Sequence, residues 1–121
     1  MNNYQQPGDI REWTNGTGSA VSSGDVVVVG DQIGIAAVDI ANGAVGNVYF
    51  SGVFNNIPKV TAAVIADGEN VIWDDSASAF DDKNATPAAG DVSGAASAVG
   101  AFDGTVSVMT IQLANRIGTV T

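Results

Sequence analysis

Ser23-Gly24-Asp25-Val26-Val27-Val28-Val29-Gly30-Asp31-Gln32-Ile33-Gly34-Ile35-Ala36 is the stretch on which the fold turns. Four consecutive valines are β-branched and favour a strand. A run that is apolar at every position fits a strand covered on both faces, placed centrally in the fold or at a subunit contact. Gly30-Asp31-Gln32 then turns the chain into a second apolar run, Ile33 to Val38, because glycine reaches left-handed conformations at low cost. Strand, tight turn and strand within so few residues predict a β-rich protein.

Working outward, the same rhythm recurs. Strands are predicted at Asp9 to Thr14, Asn47 to Val53, Val60 to Ala66, Asn70 to Trp73 and Thr105 to Leu113. In Asn47 to Val53 the period-2 pattern puts Val48, Phe50 and Gly52 inward and Asn47, Tyr49 and Ser51 outward. Ala41-Asn42-Gly43-Ala44 supplies a further turn, and Asp67-Gly68 and Asp103-Gly104 carry the Asp-Gly hairpin signal. Asp81 to Pro87 is polar and reads as an exposed loop. Val92 to Ala101 suits either a short helix or a small-residue strand, since Gly94 and Gly100 weaken the helix by about 1 kcal/mol each. No exact repeat is present. The expected fold is all-β: a small single-domain β-barrel or β-tulip-like sandwich with Gly-rich turns, built on one core. Residues 1–9 form a flexible arm and residues 10–121 the β domain.

Composition removes most chemistries. The 121 residues contain no Cys and no His, which excludes thiolate nucleophiles, disulfides, the commonest general base and the usual zinc ligands. A net charge of -9 repels phosphate backbones, so nucleic acid is not an expected partner. No apolar run approaches the roughly 20 residues of a membrane span, and the amino terminus lacks a signal-like pattern, so a soluble, unprocessed chain is expected. Asp74-Asp75 and Asp81-Asp82 lack calcium-loop spacing and read as solvated loop rather than metal ligands or a glycosidase pair. Gly16-Thr17-Gly18 lacks the third glycine of a dinucleotide fingerprint. No enzyme activity, cofactor or metal is expected.

The order of turns and strands resembles the tailed-phage capsid cement, or head decoration, family. The resemblance covers most of the chain: Pro7-Gly8-Asp9 after a Gln-rich start, Ser23 to Asp31 leading into Gly34-Ile35-Ala36, Gly52-Val53-Phe54, Pro58-Lys59, Gly68 to Asp74, and a final strand from Val106 to Leu113. It departs from the family pattern between Ala85 and Gly100, where Val92-Ser93-Gly94 and Val99-Gly100 replace an Ile-Gly step. The resemblance implies a non-enzymatic structural protein, made in the host cytoplasm, that binds the outside of an expanded head as a homotrimer and clamps major capsid subunits together.

The residues then suggest contacts. Within the polar arm, Tyr4, Gln6 and Pro7 are candidates for ordering on the capsid by strand addition, with Arg11 and Lys59 as cations facing acidic capsid groups. Val27, Val29, Ala96 and Arg116 are candidates for the contact between copies. The rival reading is a fibre or tail module that recognises glycan through Trp13, Trp73 and Tyr49.

Overall fold

The computed structural model describes residues 9–121, and among them every regular element is a strand. Two antiparallel sheets account for the fold. The first contains β1 (Ile10–Thr14), β2 (Val26–Val29), β3 (Gln32–Ala36) and β4 (Val45–Tyr49), in the order β1-β4-β3-β2. The second contains β5 (Ser51–Pro58), β6 (Asn70–Asp74), β7 (Ala79–Asp81), β8 (Val92–Ala98) and β9 (Val108–Ala114), in the order β5-β9-β8-β6-β7, with the short β10 (Thr119–Val120) paired to β8.

The valine run forms β2 and turns through Gly30, at φ 59°, into β3. Val26 and Val28 pack against one apolar cluster, while Val27 and Val29 belong to another. Both faces are covered, as an all-apolar strand requires. The strand nevertheless lies at the edge of its sheet and not at the centre. The single core expected from the chain length is likewise two clusters: a large one around Phe80, Trp73 and Ile111, and a smaller one around Phe50, Val48 and Ile40. The first sheet is the wall between them.

The strand predicted from Asn47 to Val53 is two strands in different sheets. Val48 and Phe50 point inward and Asn47 and Tyr49 outward, but the alternation stops at Phe50. The chain there passes from β4 into β5, and Gly52, at φ 125°, is exposed instead of inward. In β5 a bulge sets Asn55 and Asn56 against Thr110 alone, with Asn56 at φ 55°.

Val92 to Ala98 is a strand, settled by its neighbours: β6 on one side, and β9 and β10 on the other. Val60 to Ala66 is not a strand. Thr61 and Ala62 turn, with Ala63 N–H donating to Val60 C=O at 3.0 Å, and only isolated bridges join Lys59 to Phe80 and Ile65 to Phe102. Asp67-Gly68 and Asp103-Gly104 accordingly make turns without closing two-stranded hairpins. The Lys59–Phe80 bridge brings the end of β5 against β7, the opposite edge of the second sheet.

Candidate functional site

Two of the cations singled out in the sequence are held by the chain itself. Arg11, on β1, donates from Nη2 to Gln32 Oε1 at 2.7 Å, and its guanidinium lies 4.2 Å from the centroid of the Phe50 ring. Lys59 is 3% exposed, and its ammonium donates to the carbonyls of Val60, Thr61 and Val106 at 2.9, 3.0 and 3.1 Å. That ammonium is a structural cation with its donors in use, and its charge adds to the lowering of the Asp103 pKa. Arg116, just beyond β9, is exposed.

The candidates for contact between copies divide in the same way. Val27 and Ala96 are 3% and 0% exposed and lie within the chain's own clusters. Val29 is half-buried, and with Arg116 it stays accessible. Tyr4, Gln6 and Pro7 lie outside the described residues.

The carboxylates organise turns. Asp74 accepts from the Ser76 hydroxyl at 2.7 Å and from the amides of Ser76 and Ala77, and these bonds, the hydroxyl first, hold its pKa below the ordinary 3.8. Asp103 is lowered in the same way, first by the Thr105 hydroxyl and then by the Thr105 amide. Asp82 accepts from Asn84 N–H, and buried Asp91 accepts from the amides of Asp75 and Ala88. Among the described residues no group of three or more acidic side chains is arranged to hold a metal ion.

The aromatic residues proposed for glycan do not form one platform. Trp73 is buried edge-on against Phe80, with centroids 5.0 Å apart, while Trp13 packs on the smaller cluster. Tyr49 alone is exposed, its ring tilted against Phe54 at 6.1 Å.

What the sequence reading did not single out is the surface around Tyr49. Residues directly opposed in antiparallel strands point to the same face. Ile10 is opposed to Tyr49, Glu12 to Asn47 and Thr14 to Val45, and all six are exposed. The same face over β2 and β3 carries Val26, Val28, Ile33 and Ile35, which are covered by the larger cluster. One sheet face is therefore covered over β2–β3 and bare over β1–β4. Next to it lies a groove of about 490 Å³, lined by Ile35, Val53, Phe54, Asn55 and Thr110 among others. The outward setting of Tyr49 was legible from alternation, but the bareness of the face was not, because it depends on where the second sheet stops.

Against known proteins, a family model described as phage cement protein matches residues 5–110, most of the chain. Neither the curated proteins nor the solved structures give a match.

Proposed function

The chain belongs to the phage cement protein family, whose members are structural proteins associated with the bacteriophage capsid, and on that premise we propose that it binds the outer surface of the expanded head. There it bridges neighbouring major capsid subunits as a homotrimer and stabilises the shell. The observation that carries this reading is the family match, which runs from the arm through β8 and into β9.

The physics supports it. A ligand that binds the expanded lattice and not its unexpanded form stabilises the expanded state by its binding free energy, and contacts repeated over many copies add. A charge of -9 disfavours competition for the packaged genome. Residues 1–9, with Tyr4, Gln6 and Pro7, supply an arm that orders on the capsid, while Val29 and Arg116 serve the contact between copies.

Co-sedimentation of the purified protein with expanded heads and with unexpanded procapsids tests the proposal. Saturable binding to expanded heads alone is the expected result. Binding to neither form would sink it.

A further inference from the structure

We propose that the bare face of β1–β4, which runs from Val45 to Tyr49, is the surface that seats on the capsid, with the groove beside Phe54 receiving a capsid side chain. This rests on the cement reading above and names the surface through which that function acts.

Four observations converge on it. First, the face is uncovered and carries apolar groups at both ends: Ile10 and Tyr49, directly opposed, are 40% and 37% exposed, and Val45, beyond the polar pair Glu12 and Asn47, is 59% exposed. Ile10 and Tyr49, continued by Phe54, form an apolar patch left open, and such a patch marks an interaction site more often than scattered single residues do.

Second, acidic charge is withdrawn from it. Of the thirteen Asp and Glu, only Asp9 and Glu12 fall within the first 24 residues, and residues 1–8 carry no charged side chain. Of the six residues on the bare face, only Glu12 is charged. A surface poor in charge, with a single carboxylate set between apolar groups, suits a protein contact that offers that carboxylate one partner. The partner that fits is a protein surface with a cation opposite Glu12 and apolar groups on either side of it.

Third, the eight residues that precede the described chain join it at this face. Asp9 C=O accepts from Phe50 N–H at 2.7 Å, so the chain enters β1 beside Ile10 and Tyr49. Eight extended residues reach about 28 Å at most. An arm that orders on the capsid from that point holds the bare face near the same capsid surface.

Fourth, the flat face runs into a concave seat. Tyr49 is opposed to Ile35 in the sheet and its ring is tilted against Phe54, and both Ile35 and Phe54 line the groove of about 490 Å³. A flat apolar contact beside a pocket is the arrangement in which a few anchors dominate binding.

The test compares head binding by the wild type with that of Val45→Lys and Thr14→Lys, two exposed positions directly opposed on the bare face. Val64→Lys, at a position 68% exposed outside this face, is the control. Thermal unfolding is followed for all four proteins, and having two variants guards against one that fails to fold. The expected result is a loss of affinity for expanded heads of about tenfold or more in both face variants, with unfolding unchanged and the control binding normally. Face variants that fold and bind heads as the wild type does overturn the assignment while leaving the cement reading intact. Face variants that bind heads normally but lose self-association also overturn it, and place a second copy on the face. A wild type that binds neither head form overturns the cement reading itself, and this assignment with it.

Discussion

Lys59 holds together a segment that its sequence alone would make a strand. Its ammonium is enclosed by the carbonyls of Val60, Thr61 and Val106, while its own amide donates to Ser107 C=O at 2.9 Å. Burying a cation is costly unless each donor finds an acceptor, and here three donors meet three backbone oxygens. The chain therefore curls around the side chain instead of extending through the β-prone residues from Val60 to Ala66. Replacing Lys59 with Met keeps most of the volume and leaves those carbonyls without the donors they now share. We expect Lys59→Met to lower stability by about 3 kcal/mol, read as a shift of the urea midpoint at unchanged slope. A loss below about 1 kcal/mol would mean that water replaces the ammonium and that the enclosure is not what shapes the turn. The residue type announced a cation, but its burial follows from the path of the chain before and after it. No local pattern records that path.

Strands were legible where a periodic or β-branched run coincides with the element, as in β1, β2, β3, β6 and β9. They were illegible where tertiary neighbours decide. β8 is built largely of Ala, Ser and Gly, residues that suit a helix as well, and it is a strand because β6 and β9 leave their edges to it. The break at Phe50 was hidden for the opposite reason, since the apolar alternation continues through a point where the chain changes sheets. Gly34, within β3, reports a close approach of the kind that glycine in a strand often marks. A Cβ there would sit 2.3 Å from Val48 Cγ1, 3.0 Å from Tyr49 O and 3.1 Å from Phe50 Cε1. Gly34→Ala is therefore expected to cost about 2 kcal/mol by overpacking. Val48→Ala in the same chain should recover part of that loss, because it removes the nearest obstructing atom. Equal denaturant midpoints for the single and double variants would show that the neighbouring backbone, and not Val48, sets the limit. Since the covered part of the sheet face ends at β3 and the bare part begins at β4, the same series reports whether that face keeps its register.

At the scale of the whole molecule, the first sheet does two jobs that the second does not. It separates two apolar clusters, and it carries the edge strand β1, with which the described chain begins. The exclusion of His- and Cys-based chemistry and the low charge of the amino-terminal end were legible in composition. The position of the bare face was not, because it arises from one sheet extending past the other. The division of labour predicts that stability and capsid binding are separable. Among the described residues the buried and partly buried members of the two clusters lie from Trp13 onward, and just before β1 the Asp9 C=O accepts from Phe50 N–H. Deleting residues 1–8 keeps Asp9 and every described member of both clusters, so thermal unfolding should be unchanged. On the arm reading, the same deletion should abolish co-sedimentation with expanded heads, since the ordering of a neutral polar segment on its partner supplies binding free energy that the folded domain cannot replace. Unchanged binding would assign the whole contact to the folded domain. Loss of both binding and thermal stability would mean that the arm belongs to the fold, and that the separation argued from the two clusters does not hold.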